Sequence, residues 1–256
     1  MNLPVPDSNG PDWAVFLDVD GTLLNLAEHP DDVLVPDGLL SLLICLKRAL
    51  NGAVALVSGR SLASLDALLG AASLDVAGCH GAEIRLNGQA SLLGSADAVI
   101  PKVAERLAML SDGIPLSMVE LKTHSIAFHY RHQQMDALQA RQLALKAIAG
   151  QEGRLRLLDG KQVVEILPQG VGKGAAISHF LEHPPFKNRL PVFVGDDVTD
   201  EEGFLEVNKR GGISIHVGSS DSTLAQYKAV SVAEIAEWLA GPVCRSLEYN
   251  QRKDAS

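Results

Sequence analysis

The sequence predicts an α/β fold: a parallel-sheet core interrupted by an inserted α+β domain. Short runs apolar on both faces alternate with helical segments from Trp13 to Cys79, as in parallel strands covered by helices. Between residues 93 and 167 the order becomes helix, hairpin, helix, hairpin, the pattern of an antiparallel sheet carrying helices on one face. After Pro168 the first pattern returns. Residues 1–92 and 168–256 are therefore expected to form the core, and residues 93–167 the insert.

The elements follow in order. Trp13 to Leu17 is a run of strand formers ended by Asp18 and Gly21, and Leu39 to Leu50 has helical spacing up to Asn51-Gly52. Ala53 to Val57 reads as a buried strand, Ser61 to Leu69 as a helix and Val76 to Cys79 as a third strand. Asn87-Gly88 marks a hairpin between Ile84–Leu86 and Ser91–Leu93. In the insert, helices are expected over Val99–Leu110 and Met135–Ala149, and strands over Ser117–Lys122, Ser125–Tyr130, Arg154–Leu158 and Gln162–Leu167. Asp159-Gly160 is the expected turn of the last hairpin. The returning core carries helices at Lys173–Leu181 and Glu201–Val207, strands at Pro191–Val194 and Gly212–Val217, and a helix opened by a Ser231/Glu234 capping box. The tail from Ser246 is polar and expected to fray.

Composition narrows the function. A formal charge of -9, from 31 acidic and 22 basic residues, argues against a general nucleic-acid binder, which needs a basic face. An anionic substrate then requires local cations or a metal to reverse the sign within one cleft. Three widely spaced cysteines, Cys45, Cys79 and Cys244, fit no disulfide or zinc framework and read as packing residues. That cysteine usage leads to the expectation of a reducing cytoplasm; Met1–Asp12 carries no signal-peptide pattern, and no apolar run reaches the ~20 residues of a membrane span.

The strongest chemical signal is Asp18-Val19-Asp20-Gly21-Thr22, directly after an apolar strand. Ligands of open α/β sheets bind beyond the carboxyl ends of the strands, and two carboxylates on a turn there can converge on one metal and one substrate. The competing reading is an ordinary acidic turn. Gly195-Asp196-Asp197-Val198-Thr199-Asp200-Glu201 puts a second acidic cluster at another strand end, where hard oxygens suit Mg²⁺; the alternative is a solvated helix N-cap. Ser58-Gly59-Arg60 offers a hydroxyl and backbone N–H groups at a helix start, an anion seat or a plain N-cap. Gly172-Lys173-Gly174 places one lysine to offset carboxylates and phosphate, or leaves it in a solvated turn. A nucleotide P-loop fails, because Gly174 and Leu167 stand where Ser/Thr and Gly are required. Of the eight histidines, His80, at a strand end, is the one to watch.

Asp18-x-Asp20-Gly21-Thr22, Ser58, Lys173 and Gly195-Asp196-Asp197, in that order, resemble the four motifs of the haloacid dehalogenase superfamily. More narrowly, Val57–Arg60, His80–Arg85, Val164–Pro168, Glu120-x-Lys122 and His129-Tyr130-Arg131 make the chain similar to the trehalose-6-phosphate phosphatase family. Val19, where that family usually has an aromatic, and the Pro184-Pro185 loop depart from the pattern without removing a catalytic charge. The resemblance implies a Rossmann-like core with an inserted α+β cap, and a Mg²⁺-dependent phosphatase acting on a small-molecule sugar phosphate; the sequence leaves the oligomeric state open and favours a monomer. It implies Asp18 as nucleophile and metal ligand, and Asp20 as acid and base, binding metal through its backbone carbonyl. Asp196 would be the remaining metal ligand, with Asp197 and Asp200 ordering metal-bound water. Ser58 and Lys173 would hold phosphoryl oxygens beside Gly59 and Arg60, while Glu120, Lys122, Arg131 and Glu165 in the cap would grip the sugar hydroxyls or phosphate. The segments near Leu93 and Pro168 would be its hinges. Other readings keep the core and change the substrate, as in a sucrose-phosphate-type phosphatase or a phosphomutase, or give up chemistry for a non-catalytic binding module, against which intact Asp18 and Asp20 argue.

Overall fold

The computed structural model describes residues 3–7, 12–27, 33–70, 73–93, 99–114, 117–130, 135–160, 162–220 and 222–244. The apolar run Trp13–Leu17 forms β1, buried at every position, and lies at the centre of an eight-stranded sheet. Its neighbours are β2 (Val54–Val57) on one side and β10 (Leu190–Gly195) on the other, both parallel. β11 (Ile213–Val217) and the three-residue β12 (Tyr227–Ala229) extend the parallel array beyond β10, and β3 (Asp75–Gly78) extends it beyond β2. The hairpin β4 (Glu83–Leu86) and β5 (Gln89–Leu92) then adds antiparallel to β3, so this sheet is mixed at one edge. Asn87 and Gly88 turn it with φ of 51° and 79°, the positive values a tight hairpin requires.

Helices α1 (Leu39–Ala49), α2 (Leu62–Leu69), α5 (Lys173–Leu181), α6 (Glu201–Lys209) and α7 (Val232–Trp238) accompany this sheet. Each boundary has a local cause. Lys47 and Arg48 complement the C-terminal dipole of α1; Ser61 accepts the Ser64 N–H at the start of α2, and Gly70 closes it in the left-handed region. The packed interior holds Phe16, Phe180 and Phe186 within ring-contact distance, with Phe193 against Phe204.

A four-stranded antiparallel sheet, in the order β6 (Ser117–Leu121), β7 (Ile126–Tyr130), β9 (Val163–Pro168), β8 (Leu155–Gly160), has its own apolar core with α3 (Val99–Leu110) and α4 (Ala137–Ala147). The two-residue period of its strands divides their side chains. Val119, Ile126, Phe128, Leu157, Val164 and Ile166 pack toward the helices. The alternate positions Glu120, Ala127, Glu165 and Leu158 are cross-strand partners in one row on the opposite face. That face meets the larger sheet through a small cluster in which Leu158 and Leu167 touch Cys79, Ala82 and Val171.

Two expectations need correction, and one strand was not expected. Asp159 and Gly160 are not a turn: they remain in β8, paired with Val164 and Val163, and Gln162 takes the positive φ of 59° instead. A Cβ on Gly160 would stand 2.7 Å from the Val163 side chain, so its glycine serves close strand contact. The capping box at α7 is half made: Ser231 accepts the Glu234 N–H, whereas the Glu234 carboxylate accepts from Val230, beside an extended Ser231 backbone (φ −159°, ψ 165°). β12 is a strand the sequence pattern did not announce, being too short to display a period. Arg131 and the tail from Ser246 lie outside the described residues, as do residues 94–98 beyond Leu93. Among the described residues no helix is long and apolar enough to cross a membrane.

Candidate active site

The turn after β1 is wound tightly. Gly21 donates its N–H to the Leu24 carbonyl at 2.7 Å, and Leu23 and Leu24 both return to the Val19 carbonyl. Gly21 has a φ of 83°, and a Cβ there would lie 2.0 Å from an Asp196 carboxylate oxygen. Glycine is thus demanded twice, by the backbone and by the approach of the second acidic segment. Buried Thr22 faces the same carboxylate, its hydroxyl 3.4 Å from Asp196 Oδ1.

Lys173, the first residue of α5, joins the segments. Its Nζ donates to Asp18 Oδ1 at 2.7 Å and to Asp200 Oδ1 at 2.6 Å, and all three side chains are buried. The other Asp200 oxygen accepts the N–H groups of Asp196 and Asp197, each at 3.0 Å. Asp197 caps the short 3₁₀ turn Val198–Asp200 in a reciprocal box with Asp200. Burial would strip the proton from Lys173, but Asp18 and Asp200 outweigh it and raise its pKa. Burial also drives the Asp18 carboxyl well above the usual carboxylate range; Lys173 opposes this, and Asp200 and Asp196 add to it. Asp196 is pushed up to about 7 by burial and then by Asp200, against the pull of Lys173.

Ser58, buried at the end of β2, accepts the Arg60 N–H on its hydroxyl at 3.2 Å. Gly59 leaves no room for a side chain, because a Cβ would sit 2.7 Å from the His80 ring. Arg60 reaches across to Asp20 with a two-point contact, Nε to Oδ2 at 2.7 Å and Nη2 to Oδ1 at 2.8 Å. The Asp20 carboxylate therefore stands apart from the Asp18–Asp196–Asp200 group and is held by the guanidinium.

Opposite these residues stands the polar row of the smaller sheet. A cleft of about 640 Å³ separates the two, lined by Asp20, Gly59, Arg60, His80, Glu120 and Lys122 among others. Buried Glu165 takes Lys122 Nζ on Oε1 at 2.7 Å and lies 3.0 Å from His80 Nε2 on its other side. Burial pushes this carboxyl up, yet His80 and Lys122 prevail and hold it at about 2. Glu120 meets His129 at 2.9 Å. At the far end of the interface, Arg156 of β8 grips Glu202 of α6 at 2.5 and 2.9 Å and donates to the Val171 carbonyl.

The sequence-predicted residues thus fall into three groups. Asp18, Lys173, Asp196, Asp197 and Asp200 form one connected network; Asp20, Ser58, Gly59 and Arg60 adjoin it; Glu120, Lys122 and Glu165 face them from the smaller sheet. Missed from the sequence were Glu83 and His124, which meet at 3.2 Å between the two sheets. Glu83 belonged to a noted string, but no spacing joins it to a histidine in the turn between β6 and β7. Among the described residues, Asp18, Asp196 and Asp200 have ligand atoms all within 4.8 Å of one another. Burial first, and the neighbouring carboxylates after it, raise the proton affinities of Asp18 and Asp196; a hard divalent cation would relieve both, so the donor set fits such an ion.

Comparison with known proteins places these features in a family. The Trehalose-phosphatase family profile matches residues 16–233. The chain is 41% identical over 230 residues to the trehalose-6-phosphate phosphatase of Escherichia coli (strain K12), covering 89% of this chain and 85% of that one. In fold, it resembles the C-terminal domain of C. albicans trehalose-6-phosphate phosphatase, with a TM-score of 0.77 at 23% identity over 90% of this chain and 92% of that one. It also resembles a subclass IIB sugar phosphatase of the HAD superfamily, with a TM-score of 0.62 at 12% identity over 92% and 97% of the two chains.

Proposed function

The chain belongs to the trehalose-phosphatase family of phosphoric monoester hydrolases, and from that membership we propose that it hydrolyses trehalose 6-phosphate through an Mg²⁺-dependent aspartyl-phosphate mechanism. One observation carries the reading: carboxylates from residues 18, 196 and 200 and the ammonium of residue 173, far apart in the chain, meet at the carboxyl end of parallel strands. In the first step an Asp18 oxygen attacks phosphorus; the Asp18–phosphorus bond forms as the bond to the sugar oxygen breaks. Asp20 gives its proton to that leaving oxygen. In the second step Asp20 takes a proton from water, whose oxygen displaces Asp18 and releases inorganic phosphate. Lys173 and Ser58 hold the phosphoryl oxygens, and Lys173 keeps its charge because two carboxylates face it.

Asp18, the Asp20 backbone carbonyl and Asp196 would hold Mg²⁺, which offsets the negative charge of the phosphoryl group. Both Asp200 oxygens are already engaged by Lys173 and two backbone N–H groups, which supports an outer, loop-ordering role for it. Asp20 must exchange the Arg60 guanidinium for substrate before it can donate. Residues 93–167 act as the cap. Its row of Glu120, Lys122 and Glu165 would read sugar hydroxyls, a polar discrimination that an apolar pocket cannot supply.

Phosphate release across a panel of sugar phosphates, with and without a chelator and with Asp18→Asn alongside, tests the reading. Trehalose 6-phosphate should be the preferred substrate, and both the chelator and the substitution should abolish turnover. Appreciable chelator-resistant or Asp18→Asn hydrolysis would refute the mechanism, and a different preferred sugar the substrate.

A further inference from the structure

The turn between β6 and β7 buries His124 and Ser125 and leaves Thr123 exposed, whereas a hairpin tip is ordinarily solvated throughout. His124 is 6% exposed and Ser125 2%. The tip is closed on itself, since Lys122 donates its N–H to the Ser125 carbonyl at 2.9 Å. It is covered by the larger sheet, against which His124 Nε2 stands 3.2 Å from Glu83 Oε1 of β4. The second Glu83 oxygen accepts the N–H of Leu62 at 2.8 Å. Leu62 is the first residue of α2, two positions beyond Arg60 and next to the N-cap Ser61. One carboxylate therefore grips the tip of the smaller unit with one oxygen and the helix start behind the Ser58–Arg60 loop with the other. The Cys79 thiol also faces Glu83; burial, and then Glu83, push it up to about 12, so it remains neutral. A reciprocal contact lies nearby, where core His80 meets Glu165 of the smaller sheet at 3.0 Å.

We propose that His124 and Glu83 are a docking pair that seats the 122–125 turn on the core and thereby sets where Glu120 and Lys122 stand across from the Ser58–Arg60 loop. Both are positioning residues. Neither lines the 640 Å³ cleft, whereas their chain neighbours Glu120, Leu121, Lys122 and Thr123 do. The chain from His124 to Lys122 is short and closed by a backbone hydrogen bond, so a displaced histidine displaces the lysine that holds Glu165. The consequence for catalysis rests on the proposed sugar-phosphate reading; the docking itself does not.

The test compares wild type, His124→Ala, Glu83→Gln and the double variant on trehalose 6-phosphate and on p-nitrophenyl phosphate, whose small leaving group needs no sugar subsite. Each single change should lower kcat/KM for the sugar phosphate about tenfold, chiefly through KM, as expected for loss of one charged contact. The aryl phosphate rate should stay within about twofold, and the double variant should lose no more than the worse single, as for two halves of one interaction. Restoring a neutral donor with His124→Gln should recover part of the loss. Equal losses on both substrates, or additive losses in the double variant, would overturn the pair. Hydrogen exchange supplies a readout independent of activity. Exchange across 122–125 should quicken in His124→Ala while helix 173–181 is unchanged, and unchanged protection at the turn would sink the proposal even if Glu83→Gln failed to fold. A wild type inactive on trehalose 6-phosphate would refute the substrate reading alone, leaving exchange to judge the docking.

Discussion

Removing the charge of Glu165 should change how stability responds to acid. The carboxyl is buried in β9 between Lys122 at 2.7 Å and His80 at 3.0 Å. Burial alone would raise its pKa, but the two partners bring it from 4.5 to about 2. At about 1.4 kcal/mol per tenfold change in proton affinity, that difference corresponds to about 3 kcal/mol. The folded value lies below the unfolded one, so the contribution is complete above the unfolded value of 4.5 and disappears as pH falls toward about 2. Of the full amount, about 1.4 kcal/mol should be lost between pH 7 and about pH 3.5. Glu165→Gln keeps the shape and cannot ionise. It should be about 3 kcal/mol less stable than wild type at neutral pH, since the Lys122 ammonium loses its counter-charge and the His80 ring its carboxylate partner. Urea unfolding of both proteins from pH 7 to about pH 3.5 should show the gap narrowing by about 1 kcal/mol or slightly more. A gap that stays constant or widens across that range refutes the reasoning.

Gly21→Ala should lower kcat by about 100-fold, because a Cβ placed 2.0 Å from the Asp196 carboxylate must shift one acidic segment against the other. The left-handed backbone should add a stability loss of about 1–2 kcal/mol, read by thermal melting; near-wild-type turnover would show that the two segments tolerate separation. Arg156→Lys should destabilise the protein by about 2 kcal/mol, since a lysine cannot reproduce the two-point grip on Glu202 together with the Val171 carbonyl. Denaturant titration checks this, and an unchanged midpoint would remove Arg156 from the contacts that join the two sheets.

Elements whose signal is local were legible before any coordinates. Trp13–Leu17, Val99–Leu110 and Lys173–Leu181 occupy the residues their apolar patterns mark, because a strand buried on both faces is apolar throughout and an amphipathic helix repeats on its own period. The acidic strings were legible for a similar reason: unpaired carboxylates at strand ends are out of place unless something binds there. What failed was decided by contacts that a short string does not display, one of them local and the others distant. Gly160 reads as a turn residue, yet its lack of a Cβ serves packing against Val163. Nothing in the string around Asp20 shows that Arg60 will hold its carboxylate, and nothing in Lys122–Ser125 shows that His124 will be buried against Glu83. Asp200 is the intermediate case. Its acidity was visible, but its place beneath Lys173, with both oxygens occupied, depends on the fold.

The position of β1 also governs when the catalytic apparatus can come into being. Trp13 pairs with Leu190 and Leu17 with Val194, so the middle of the larger sheet closes only after the whole smaller unit has been synthesised. Loop closure across such a span grows only logarithmically costly with length, but on a ribosome the early strands must wait for their partner. During that interval Asp18 has neither Lys173 nor the second acidic segment beside it, and the apolar flank of β1 has no cover. Truncation anywhere before Gly195 should accordingly yield a chain prone to association rather than a weakened enzyme.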